Sequence, residues 1–147
     1  MTVRIQPQPF DYGAECNAFA GNVSDAGAIV TFAGIVRDEG GTLSAMEIEH
    51  YPGMTERALN AIEAEARARW RLSDALIIHR HGPLGPGETI MMVATAARHR
   101  ADAFAAAEFL MDYLKSRAPF WKKETTTSGS TGWVDARDTD EAALKRW

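Results

Sequence analysis

The sequence predicts an α+β domain in which a largely antiparallel sheet is flanked by helices. Two observations carry this. Runs of β-branched and aromatic residues alternate with segments of helical periodicity in the order β-α-β-β-α-β-β-α-β-β-α. The links between successive strands are tight and rich in Gly and Pro. With 147 residues, the chain is long enough to bury a core. No linker or repeat interrupts it, so residues 1–147 read as one domain.

Taken in order, Thr2–Gln6 alternates as a short strand and is closed by Pro7 and Pro9. Asp11 caps a helix reaching about Ala20. Residues 26–37 (AGAIVTFAGIVR) read as a buried strand with Gly34 at a bulge. The Gly40-Gly41 pair marks a mobile loop or hairpin tip. A second strand follows over 43–51, with a slip of register, and Pro52-Gly53 ends it. Ala58, Leu59, Ile62, Ala66 and Trp70 recur at helical spacing across 55–71. Residues 75–81 form a strand, 82–87 a turn and 89–97 another strand. Phe104, Ala107, Leu110, Met111 and Leu114 define a second amphipathic helix over 101–116. Short edge strands are expected at 121–126 and 133–136, then a helix capped by Asp138 or Thr139.

The formal charge of −4 argues against broad nucleic-acid binding. No apolar run is long enough for a membrane span, and the first residues lack a signal-peptide pattern. The expectation is a soluble, cytoplasmic protein. Cys16 is the only cysteine. It forms no intrachain disulfide and reads as a buried, inert thiol.

Against this acidic background, six basic side chains face three acidic ones between Arg98 and Lys123. Four of them (Lys115, Arg117, Lys122, Lys123) surround the corner Pro119-Phe120-Trp121, where helical periodicity stops. A helix end followed by a rigid turn brings cations from both arms together. Such a spot suits a small anionic ligand or a reaction that needs an amine.

Several stretches together resemble the large, catalytic subunit family of molybdopterin synthase. They are TFAGIVRDEG (31–40), IEHYPGMTE (48–56), IHRHGPLGPGE (78–88), RHRADAF (98–104), MDYLKSRAPFWKKE (111–124) and KRW (145–147). The likeness runs from about residue 7 to the end. It implies an α/β hammerhead fold and conversion of a cyclic pyranopterin monophosphate into molybdopterin. It also implies a small ubiquitin-like partner that carries sulfur as a thiocarboxylate on its C-terminal Gly-Gly tail. A central homodimer of large subunits would hold one partner at each end, as a heterotetramer. No cofactor is implied.

Through the resemblance, Lys115 and Lys122 match the two functional lysines, and Lys123 and Glu124 complete a substrate-contacting segment. Sulfur transfer must stabilise developing negative charge, move protons and open a cyclic phosphate. A lysine with a lowered pKa serves as acid or base, and a charged one stabilises an oxyanion or phosphate. Lys115 is assigned to the chemical step, and Lys122 to charge stabilisation and positioning. The plain alternative for Lys115 is a surface residue paired with Asp112 or capping its helix. Arg37 matches a phosphate- or pterin-contacting arginine, with guanidinium geometry suited to phosphate; its plain alternative is pairing with Asp38 or Glu39. The acidic, glycine-rich loop 38–41 departs from the family pattern. His99 and Arg100 match a His-Arg pair at a helix N-terminus, where backbone N–H groups already favour anions. Alternatively, His99 packs on a strand and Arg100 is solvated.

His79 and His81 would share one strand face, and His99 would be a third zinc ligand. Without clustered cysteines or carboxylates that signal is weak, and no metal is expected. Phe120 and Trp121 either wall a pocket or anchor the turn as core, the latter being preferred. Phe109, Met111 and Leu114 are core or dimer-interface residues. The leading class is therefore an enzyme, a sulfurtransferase acting on a pterin phosphate. The competing class is a non-catalytic module that binds an anion or a Gly-Gly protein tail through the same lysines.

Overall fold

The computed structural model describes residues 2–129, 131–134 and 138–147. Along the chain run β1 (Thr2–Gln6), α1 (Tyr12–Asn22), β2 (Ala28–Ile35), β3 (Leu43–His50), α2 (Met54–Trp70) and β4 (Asp74–Arg80). They are followed by β5 (Gly82–Leu84), β6 (Thr89–Ala97), α3 (Arg100–Ser116), β7 (Phe120–Thr126), β8 (Thr131–Trp133) and α4 (Asp138–Ala143). The α+β class and the flanking helices are as expected. The last expected strand, 133–136, is displaced: β8 ends at Trp133, and residues 135–137 lie outside the described residues.

The strands divide into two four-stranded sheets rather than one. The first has the order β1-β4-β6-β2 and the second β5-β3-β7-β8. All pairings are antiparallel except β1 with β4, which is parallel. The division begins after β2. Instead of a tight hairpin, the chain makes a 3₁₀ turn at Glu39–Gly41, with Gly40 at φ 76° and Gly41 at φ 71°. These left-handed conformations suit glycine, and β3 leaves toward new partners. Residues 82–84, expected as turn, supply one of them. Pro83 is tolerated because β5 is an edge strand. Register shifts fall at Gly34/Ile35 and between Leu43 and Ala45, where the sequence suggested a bulge and a slip.

Local signals explain the helices. Asp11 Oδ1 accepts a hydrogen bond from Ala14 N at 3.0 Å and caps α1. At α2, the Glu56 carboxylate reaches back to Gly53 N, and backbone hydrogen bonding lowers its pKa. Helices α2 and α3 pack on one face of the first sheet, where Leu59, Ala66, Ile77, Val93, Phe109 and Leu110 are buried. Phe19 of α1 packs with Leu76, Ile78, Met92, Ala94 and Ala96 in a separate cluster. The alternation along β4 sends Ala75 and Ile77 to the first cluster and Leu76 and Ile78 to the second. Burying each large apolar side chain contributes about 1.5–3 kcal/mol. Cys16, expected to be buried, is half-buried against the Phe19 cluster.

The buried residues include one carboxylic acid. Glu63 on α2 is 0% exposed, and neither carboxylate oxygen has a hydrogen-bond partner among the described residues. Desolvation pushes its pKa up to about 7. No helix among the described residues is long and apolar enough to cross a membrane.

Candidate active site

The site is organised by the direction of α3. Strand β6 ends at Ala97, and α3 turns back over β6 and β2. Thr95 Oγ1 donates to Ala103 O at 2.7 Å and fixes the first turn. After 17 residues the helix ends at Ser116, placing Lys115 in the last turn, where a cation suits the helix dipole. Asp112 is not its partner: that carboxylate accepts from Arg146 Nη2 and Trp147 Nε1, each at 2.6 Å. No described carboxylate pairs with the exposed Lys115.

Pro119 then turns the chain into β7. Its antiparallel register sets Phe120 opposite His50, Lys122 opposite Ile48 and Glu124 opposite Met46. Trp121 lies opposite Glu49 and Lys123 opposite Glu47. Directly opposed residues share a sheet face, and neighbours along a strand do not. Lys122 and Glu124 therefore lie on the face of buried Ile48, whereas Lys123 lies on the other. Lys123 Nζ sits 5.4 Å from the centre of the Trp133 ring. Trp121, expected as core, is 42% exposed and packs edge-on against Tyr51 at 4.6 Å. Glu49, His50, Tyr51, Trp121 and Trp133 line a cleft of about 260 Å³.

Beside Lys122 lies a group of rings. His79, 5% exposed, stacks on Phe120 with centroids 3.8 Å apart and planes 14° apart. Its Nδ1 lies 2.7 Å from Arg80 O. Burial, reinforced by Lys122, Lys115 and His50, pulls its pKa down to about 3. Both lysines are thus close enough to act electrostatically on one imidazole. The His50 ring centre also lies 6.1 Å from that of Phe120, and the His81 ring centre lies 4.3 Å from that of His50. Burial also lowers the pKa of His81.

Arg37 emerges at this same end. The preceding Val36 is 2% exposed; its N–H donates to Glu88 O and its carbonyl accepts from Gly87 N. The Glu88 carboxylate pairs with Arg80 at 3.1 Å, while Arg80 also donates to Pro7 O. Buried Arg80 thus supports the turn that anchors Val36. Asp38 Oδ1 accepts from Leu43 N at 2.8 Å, closing the loop after Arg37.

His99 and Arg100 lie elsewhere. Both are exposed at the start of α3. Fifteen residues of helix place Arg100 about 22 Å from Lys115. Arg37 is likewise at the opposite end of β2, because Ala28, not Ile35, pairs with Ala97. The fold thus gathers Arg37, Lys115 and Lys122 at one end and leaves His99 and Arg100 at the other. The same separation keeps His99 away from His79 and His81. Among the described residues no His, Cys, Asp or Glu group has metal-site geometry. Sequence reasoning did not single out His50, whose position at a strand end before Pro-Gly carries no spacing signal.

Residues 5–117 match the family described as MoaE protein. The chain belongs to the MoaE family. The molybdopterin synthase catalytic subunit of Cereibacter sphaeroides is 69% identical over 147 residues, covering all of both chains. A solved molybdopterin biosynthesis MoaE protein from Burkholderia ambifaria is 56% identical, with TM-score 0.84 over 99% of this chain and 97% of that one. The complex of subunits 1 and 2 of molybdopterin-converting factor from Helicobacter pylori shares the fold at 18% identity, with TM-score 0.77 over 92% and 90% of the chains. MoaE membership makes this chain an enzyme subunit of molybdenum cofactor biosynthesis, the catalytic subunit of a molybdopterin synthase, and sets aside the non-catalytic reading.

Proposed function

We propose that this MoaE chain is a sulfurtransferase. It would take sulfur from the C-terminal thiocarboxylate of a small ubiquitin-like subunit and place it on cyclic pyranopterin monophosphate to form a dithiolene. The observation that carries this reading is the convergence of Lys115 and Lys122 on His79, with Arg37 emerging at the same end. Lys115, in a helix-end position with no carboxylate partner among the described residues, serves the chemical step. Lys122, on the inner face of β7, stabilises charge, with Glu124 beside it on that face. Arg37 holds phosphate in a bidentate geometry. A second subunit fits the solved Helicobacter pylori relative, which is a two-subunit complex.

His99 and Arg100 complete such a site only if a second copy supplies them. Strand β2 is the edge of its sheet, with Ile29, Phe32 and Ile35 exposed. Two β2 edges paired antiparallel about a two-fold axis near Phe32 would set Arg37 of one copy against the Gly27 end of the other. There Gly27 N donates to Ala97 O, two residues before His99. A homodimer of this kind contains two composite sites.

The test is turnover: this chain, a thiocarboxylated partner and the cyclic precursor, with product read as its fluorescent oxidation derivative. Absence of product with an active partner overturns the sulfurtransferase reading. For the composite site, the inactive variants Lys115→Ala and Arg100→Ala are mixed and allowed to exchange subunits. Mixed dimers hold one site with both residues intact, so activity should return; persistent inactivity in confirmed heterodimers overturns the shared site.

A further inference from the structure

His79 takes no part in the chemistry proposed above, yet it is buried and lies close enough to Lys115 and Lys122 to feel both charges. Its Nδ1 faces Arg80 O at 2.7 Å. A carbonyl only accepts, so Nδ1 carries the proton and Nε2 the lone pair. One face of the ring lies against Phe120. The other ring beside Phe120, His50, is fixed in the same manner. Its Nδ1 is 3.2 Å from Thr55 Oγ1, whose own proton goes to Tyr51 O at 2.9 Å. Phe120 thus sits beside two imidazoles whose tautomers are set by oxygen acceptors. It lies two residues before Lys122, on the same face of β7.

We propose that His79 is a positioning residue for the lysine site: held in one neutral tautomer, its ring seats Phe120 and thereby sets the direction in which Lys122 leaves β7. This rests on the reading that Lys122 serves the reaction. Among the described residues, the charged or titratable groups that act most on the ring are Lys122 from β7, Lys115 from α3 and His50 from β3. A cationic ring at position 79 would repel both lysines, and burial prevents that form. The neutral ring supplies a flat surface without adding charge, and the Arg80 carbonyl fixes its rotation about the strand.

The experiment compares two variants in the assembled enzyme. His79→Phe keeps a flat neutral ring against Phe120. His79→Asn keeps a donor near the Nδ1 position and removes the ring. The expected result is kcat within about threefold of wild type for Phe and a fall of about 10- to 100-fold for Asn, with KM little changed, since small misplacement of a reacting group costs that much. Each variant is first shown to be folded at the assay temperature. A folded Asn variant with wild-type kcat, or a folded Phe variant as impaired as Asn, overturns the proposal. Long-range ¹⁵N spectra of wild-type protein give an independent readout. The ring should hold its proton on Nδ1 from pH 8 to pH 5, and protonation on Nε2, or titration in that range, overturns the proposal whatever the variants do. If the wild-type enzyme itself shows no turnover, the sulfurtransferase reading fails, while the tautomer measurement still decides the geometry claimed for His79.

Discussion

Trp147 donates its indole N–H to Asp112 at 2.6 Å, one helical turn before Lys115. The same indole packs edge-on against Trp70 and Phe109, and Arg146 bridges Asp112 and Glu108. The KRW segment is therefore a clasp on the end of α3 that presents Lys115. Asp112→Ala should lower stability by about 1–3 kcal/mol, since a partly buried indole donor loses a charged acceptor. Thermal unfolding is the check, and an unchanged midpoint would show that the clasp carries no weight.

Lys115→Ala should leave the partner bound while product formation falls by at least about 100-fold, the usual scale for removing a charge-stabilising or proton-transferring group. Binding is read by size-exclusion chromatography and product by fluorescence. Activity near wild type would remove Lys115 from the chemical step.

The adjacent lysines of β7 should behave differently. Lys122→Ala is expected to cost about 10-fold or more in kcat/KM. Lys123→Ala, which loses a cation–π contact with Trp133 on the opposite face, should cost less than about threefold, on the scale of an exposed cation–π contact. Equal losses from the two variants would mean that the substrate reaches both faces of the sheet.

Glu63 makes stability depend on pH. Its folded pKa of about 7 lies above the ordinary value of 4.5, so the folded state holds the proton more tightly. The folded chain is favoured most at low pH, and that advantage is lost as pH rises from about 4.5 to about 7, by on the order of 1–3 kcal/mol. Glu63→Gln should therefore stabilise the protein more at pH 8 than at pH 5. Urea unfolding at both values tests this, and an equal effect at the two would exclude the carboxyl as the source.

Much of the fold was legible because local chemistry fixes it. Asp11 caps where capping residues cap, Gly34 marks a shift of register, and the apolar spacing of 55–71 and 101–116 yields α2 and α3. The split into two sheets was not legible, since it depends on β3 choosing β7 and β5 as neighbours, and pairing between distant strands leaves no trace in periodicity. Residues 82–84 looked like turn because Gly and Pro dominate them, yet an edge strand tolerates both.

The sequence by itself determined most of the secondary elements, the cationic corner at Pro119 and, through its resemblance, the family. Only the tertiary structure decided how that corner is used. Strand alternation parts Lys122 from Lys123, the return of α3 brings Lys115 toward Arg37, and the length of that helix holds His99 and Arg100 about 22 Å away. Sequence spacing counts residues along one line, whereas a site is set by which ends of rigid elements meet.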